Sequence, residues 1–150
     1  MWRIDQECFP PGIAYSQREL AAYIRRKGAF TIVAQPLEKQ GEPAASIQGF
    51  IVGEVHRSMG HIISIDVLAP SRRSGLGSKL LMAAEQRLVA LNCRNVVLET
   101  AVDNTGALSF YKRHNYSVLK TSPRYYSNGV DAFVLGKNLS PLQDWESWRQ

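Results

Sequence analysis

The sequence predicts a mixed α/β fold, with strands on one central sheet and helices covering its faces. Two observations predict it. The hydrophobic periods along the chain run helix, strands, helix, strand, helix, strands. An apolar strand at residues 61–68 also passes through a glycine-containing turn straight into an amphipathic helix. At ~100–200 residues per domain, a chain of 150 residues is expected to form a single domain over 1–150.

Each element has its own signal. Residues 16–27 place Leu20, Ala21, Tyr23 and Ile24 at helical spacing, and Ser16 with Glu19 three residues on has the pattern of a capping box. Residues 30–34 read as a short strand. The polar stretch 35–43, with Pro36, Gly41 and Pro43, reads as a hairpin connection to a strand over 45–56. Residues 57–60 make a turn of hairpin length leading into the strand at 61–68. Residues 75–91 repeat Leu76, Leu80, Leu81, Ala84, Leu88 and Leu91 with helical period. A strand over 95–100 and a helix over 105–114, capped by Asn104 or Thr105, follow. The last strands are expected at 116–121 and 131–135, separated by a turn containing Asn128-Gly129. In the tail, Trp145 and Trp148 lie three apart and are expected to pack onto the body of the domain.

Composition narrows the function classes. Hydrophobic residues make up 45% and charged residues 21%, which excludes a disordered chain. No apolar run approaches the ~20 residues of a membrane span, and residues 1–7 lack a secretory pattern. Cys8 and Cys93 have no metal-ligand spacing and form no disulfide framework, so a reducing cytoplasm is expected. The net charge is +5, but the longest basic runs are short, Arg25-Arg26-Lys27 and Arg72-Arg73. Spread charge of this kind points away from nucleic acid and membrane and toward a small anionic ligand.

The site of that ligand is legible in Asp66-Val67-Leu68-Ala69-Pro70-Ser71-Arg72-Arg73-Ser74-Gly75-Leu76-Gly77-Ser78-Lys79. Two glycines at a helix start cost stability unless something approaches the backbone closely. Free N–H groups and the positive end of the helix dipole bind anions there. A tight strand-to-helix turn explains a lone Gly-x-Gly equally well, but the pattern here is longer, Arg72-x-x-Gly75-x-Gly77. It is neither the dinucleotide fingerprint nor the P-loop.

This motif resembles the pyrophosphate loop of the GNAT acetyltransferase superfamily, Arg/Gln-x-x-Gly-x-Gly/Ala. A second block, Leu98-Glu99-Thr100 through Asn104, Ala107 and Tyr111, is similar to the same family, with His114-Asn115-Tyr116 where Leu/Phe-Gly-Phe is usual. Tyr125-Tyr126 with Asp131-Ala132, and Phe9-Pro10, resemble the branch that acetylates protein N-termini, which includes the enzymes acting on a ribosomal-protein alanine. The resemblance implies the GNAT fold: a mixed, mostly antiparallel sheet flanked by helices. The family usually opens with a strand ahead of the region Ile4-Asp5-Gln6, and this sequence begins at about the following helix.

The resemblance also implies acetyl-CoA as acetyl donor, no metal, and an amine acceptor, with a monomer or homodimer as the working unit. The turn Arg72, Arg73, Ser74, Gly75, Leu76, Gly77, Ser78 would cradle the pyrophosphate. Backbone groups of Ile65, Asp66 and Val67 would meet the acetyl and pantetheine amides, and Asn104 the pantetheine. Glu99 stands where the branch places its base, and Tyr111, twelve residues on, where it places the acid that protonates the thiolate. The residues themselves allow plainer roles: Glu99 as a solvated carboxylate at a strand end, Tyr111 as a core tyrosine. Phe9, Pro10, Tyr125 and Tyr126 are candidates for gripping the acceptor. His61 reads first as a surface histidine and second as a substrate-facing group.

The attacking amine must be neutral. At pH ~7 deprotonation costs ~1.4 kcal/mol for an α-amine of pKa ~8 and ~4.6 kcal/mol for a lysine of ~10.4, so a base is useful in both cases. Three functions remain open: a protein N-terminal acetyltransferase, an acetyltransferase for a small amine, and a non-catalytic acyl-CoA-binding sensor.

Overall fold

The computed structural model describes residues 1–139; Trp145 and Trp148 lie outside the described residues. The chain opens with α1 (Trp2–Cys8) and α2 (Gln17–Arg25). β1 (Ala29–Ala34), β2 (Gly49–His56) and β3 (Met59–Val67) follow as two antiparallel hairpins. A 3-10 turn at Ala69–Ser71 leads into α3 (Leu76–Ala90). β4 (Asn95–Ala101), α4 (Thr105–Arg113), β5 (Ser117–Ser122) and β6 (Ala132–Asn138) complete the described chain. The six strands form one mixed sheet in the order β1-β2-β3-β4-β6-β5. Among the described strands only β3 and β4 pair in parallel.

Local chemistry sets the boundaries. Ser16 Oγ accepts from the Glu19 N–H while the Glu19 carboxylate accepts from the Ser16 N–H, so the capping box is complete. Asn104 caps α4 by accepting from the Ala107 N–H. β2 begins at Gly49 and not at residue 45, because its partner β1 ends at Ala34 opposite Gly49 and Pro36 follows close behind. The β2–β3 turn is tighter than expected: His56 pairs with Met59, so only Arg57, at φ 57°, and Ser58 form the loop. β6 runs three residues beyond residue 135, matched to the full length of β4.

The sheet buries both faces. Ile51, Ile62, Leu98 and Leu135 pack with Leu81 and Leu88 of α3 and Tyr111 of α4. Phe50 and Val52 pack on the other face with Ile4 of α1 and Leu20 of α2. A bulge decides which face each β3 residue serves. Val52 pairs with Ser64 and Gly53 with Ile62, so Ile63 is the extra residue and the alternation resets there. His61 and Asp66, which strict alternation would put on opposite faces, therefore both turn toward α1 and α2.

Candidate active site

β3 and β4 part company halfway along. Their register runs from Met59–Asn95 to Ile62–Leu98 and stops, while both strands continue, to Val67 and Ala101. A cavity of about 810 Å³ opens at the split. Leu68 bonds Gln48 across β2, so the backbone groups of Asp66 and Ser64 also face β2, and those of Ile63, Ile65 and Val67 face the gap. Two of these carbonyls are occupied: Ile63 accepts from the Tyr15 hydroxyl at 3.3 Å, and Val67 from Arg72 Nε at 2.8 Å. Strand alternation leaves the amide groups of Ile65 aimed into the cavity between them.

One end of the cavity is basic. Arg72, Arg73, Gly75, Gly77 and Ser78 line it, and α4 adds Arg113. Gly75 is the N-cap of α3 at φ +81°, a left-handed conformation that side chains rarely adopt, and no side chain caps the helix. The first N–H groups of α3 thus lack the usual protein acceptor. A Cβ on Gly77 would stand 3.5 Å from the Phe110 ring and 3.9 Å from Val67, filling space that is open along the cavity wall. An uncapped helix start beside three arginines fits a pyrophosphate. Arg72 does double duty, since its Nη2 also lies 3.5 Å from Cys8 Sγ and ties the turn to α1.

The middle of the cavity holds Glu99 of β4, with Asn104 and Tyr111 from the α4 side. Tyr111 is buried, and burial pushes its phenol well above the ordinary tyrosine range. The far end carries Phe9 and Pro10 after α1, and Tyr125 and Tyr126 between β5 and β6. The two loops meet there, with Ser127 Oγ donating to the Gly12 carbonyl at 2.9 Å. The two tyrosine rings pack edge to face at 4.9 Å.

Asp66, Ser74, Leu76 and His61 do not line the cavity. The Asp66 backbone pairs with Phe50, and its side chain is buried. Ser74 Oγ instead bonds the Ser71 carbonyl within the turn. Leu76 packs against the core under α3. His61 is not a lone surface histidine: its Nε2 lies 2.7 Å from Glu99 Oε2 and its Nδ1 3.4 Å from Glu54 Oε1. Burial opposes its charge, but the two carboxylates outweigh that and raise its pKa above the ordinary value. Arg113 and Glu54 carried no signal in the sequence beyond their residue types, while Tyr15 follows the Phe9-Pro10 pair at a longer spacing than the resembled substrate loop has.

Asp66 has a structural part of its own. Ser64 Oγ donates to one carboxyl oxygen, and the other, Oδ2, is buried without a partner. Asp5 of α1 accepts from the Tyr15 N–H at 2.7 Å with one oxygen, and its other oxygen is likewise unpartnered. The two carboxyls are hydrogen-bonding neighbours, so a proton on Asp66 gives the pair the donor it otherwise lacks. Burial and the neighbouring Asp5 push Asp66 up to about 8. The folded protein therefore holds this proton over a range where the unfolded chain, at ~3.9, does not. Its stabilising contribution is full below ~3.9, declines as pH rises from there, and is gone once pH has passed about 8. The melting temperature of the wild type is expected to fall between pH 6 and pH 8.5, and Asp66→Asn, whose amide donates without titrating, to flatten that slope. Parallel slopes for the two proteins would show that Asp66 holds no such proton.

Among the described residues no group of His, Cys, Asp and Glu could hold a metal ion, and no helix is long and apolar enough to cross a membrane. The acetyltransferase (GNAT) family model matches residues 1–116. The N-alpha-acetyltransferase of Sulfolobus acidocaldarius is 38% identical over 81 residues, 53% of this chain and 48% of that protein. The chain's match thus spans about half the length of the curated relatives it pairs with. Ard1 from Thermoplasma volcanium superposes with a TM-score of 0.78 at 28% identity, over 92% of this chain and 88% of that one. The NatC complex bound to a Gag peptide and CoA gives 0.71 at 28% identity, over 91% and 86%.

Proposed function

This chain belongs to the acetyltransferase (GNAT) family, and from that premise we propose that it moves an acetyl group from acetyl-CoA to the α-amine at the N-terminus of a protein or peptide. One observation carries the reading: the gap between β3 and β4 joins the two faces of the sheet, with Glu99 on the α1/α2 side and Tyr111 on the α4 side. An amine and a thioester can meet there from opposite faces. The family resemblance to N-alpha-acetyltransferases supports the α-amine as acceptor.

The roles follow from position. The start of α3 with Arg72, Arg73 and Arg113 would hold the pyrophosphate, Ile65 the amides of the pantetheine arm, and Asn104 its flank. Acetyl-CoA supplies an acetyl group activated as a thioester. Glu99 takes the proton of the incoming ammonium, directly or through a water. Tyr111, a phenol protonated at neutral pH whose ionisation burial pushes still higher, donates to the departing sulfur. Phe9, Pro10, Tyr125 and Tyr126 wall the acceptor's path, and Glu99 and Asp103 make that end attractive to a cation. The free cysteines suit a reducing cytoplasm.

The test is a turnover screen with acetyl-CoA against N-terminal peptides, lysine peptides with blocked termini, and small amines, with mass spectrometry to locate the acetyl group. At pH 7 the pKa gap of ~2.4 units favours an α-amine over lysine by about 250-fold before any contact is made. The acetyl group is expected on the α-amine. Exclusive acetylation of internal lysines or of small amines would replace this reading with the small-amine or lysine alternative.

A further inference from the structure

Glu99 ends a row of charged groups that crosses three strands. Glu54 of β2 pairs in register with His61 of β3, and His61 with Val97 of β4. Glu99 stands two residues beyond Val97 and so shares its face. Imidazole nitrogens at 2.7 Å from Glu99 and 3.4 Å from Glu54 bridge the two carboxylates. Behind Glu54, Arg26 Nη1 at the end of α2 lies 3.3 Å from each carboxylate oxygen. Of the three groups nearest the cavity His61 reaches water most, its side chain 28% exposed against 19% for Glu99 and 14% for Glu54. The row leads from the cavity to water.

We propose that Glu54 is a positioning residue for the acyl transfer, holding His61 against Glu99 so that the imidazole carries the acceptor's proton away from the base toward solvent. The proposal rests on the assignment of Glu99 as base. A carboxyl that has taken the ammonium proton must shed it before the next turnover. Glu99 bonds an imidazole, so it need not return the proton through the occupied cavity. The steps balance with neutral His61 carrying its hydrogen on Nδ1. The amine N–H breaks as the Glu99 O–H forms. That O–H then breaks as His61 Nε2–H forms, which leaves an imidazolium whose Nδ1–H stays bonded to Glu54. The Nε2–H then breaks to water, which the His61 side chain reaches at 28% exposure, and the neutral Nδ1–H imidazole is restored. Arg26 keeps the Glu54 carboxylate pointed at Nδ1 and makes Glu54 a poor final resting place for the proton.

The charged groups around the imidazole fix the sign of the pH effect. Glu99 faces it from β4 and Glu54 from β2, with Arg26 reaching Glu54 from α2. Tyr125 and Tyr126 couple to Glu99 from the β5–β6 loop. The relay runs only when His61 can accept, so activity rises as the imidazolium deprotonates. Taking away the Glu54 charge lets His61 lose its proton at lower pH. Glu54→Gln is therefore expected to shift the acidic limb of the kcat profile down by about half a unit or more. It should also lower kcat by about tenfold, less than the ~10²–10⁴-fold of a direct base, with KM for acetyl-CoA unchanged.

A loss of packing alone would leave the limb where it is. The experiment is the pH profile of Glu54→Gln beside Glu99→Gln and wild type. An impaired Glu99→Gln beside a Glu54→Gln with an unmoved limb overturns the relay and spares the base. A silent Glu99→Gln overturns both. Should Glu54→Gln fail to fold, nitrogen-detected NMR titration of wild-type His61, assigned with His61→Gln, decides the matter. Titration above the ordinary histidine value, with both ring N–H groups hydrogen-bonded in the cation, is the expected result. Titration below that value overturns the proposal.

Discussion

Glu99→Gln is expected to lower kcat/KM by about 10²–10⁴-fold near neutral pH, the usual contribution of a general base. That corresponds to ~2.7–5.4 kcal/mol of transition-state stabilisation. Glutamine keeps the length of the side chain and can still bond His61, so the strand and its neighbours have no reason to move. What it removes is a site for the ammonium proton. The loss should therefore be largest at low pH, where the acceptor arrives protonated. It should shrink as pH rises past ~8, where a free α-amine deprotonates itself. A pH–rate profile beside wild type reads both features. A loss of less than about threefold at every pH places the base elsewhere, and His61, already within 2.7 Å, becomes the first candidate.

How far a sequence reveals such a site depends on whether its parts are local. The Arg72-x-x-Gly75-x-Gly77 turn is legible because strand, glycines and helix are contiguous, and glycine at a helix start needs a reason. The structure supplies it in the left-handed Gly75 and the open wall beside Gly77. The Ser16–Glu19 box and the Asn104 cap are legible on the same ground, each closing within three residues. Strand ends are less so, because alternation in residues 45–48 says nothing about where the partner strand stops. The Glu54–His61–Glu99 row was out of reach. It needs the parallel register of β3 on β4 and the bulge at Ile63, neither of which leaves a local pattern. The Asp5–Asp66 pair joins residues far apart in the chain, and no local pattern links them.

Tyr111→Phe should cost a similar factor of about 10²–10⁴ in kcat, for a different reason and with a different signature. The ring is 6% exposed and packs edge to face on Phe110 at 5.2 Å and on Tyr116 at 5.7 Å. Phenylalanine keeps all of those contacts, so the melting temperature and the affinity for acetyl-CoA are expected to hold. Only the hydroxyl is lost, and burial keeps that hydroxyl protonated far above neutral pH. It is thus a donor throughout the working range, suited to a thiolate as the C–S bond breaks. Unlike the Glu99→Gln deficit, this one should not shrink as the amine deprotonates. It should shrink when the donor is changed to an acetyl thioester of a more acidic thiol, whose thiolate leaves with less help. Single-turnover rates with two such thioesters, wild type against Tyr111→Phe, measure this directly. If the variant matches wild type within about threefold on acetyl-CoA, the thiolate leaves unassisted and Tyr111 serves the α4 core alone.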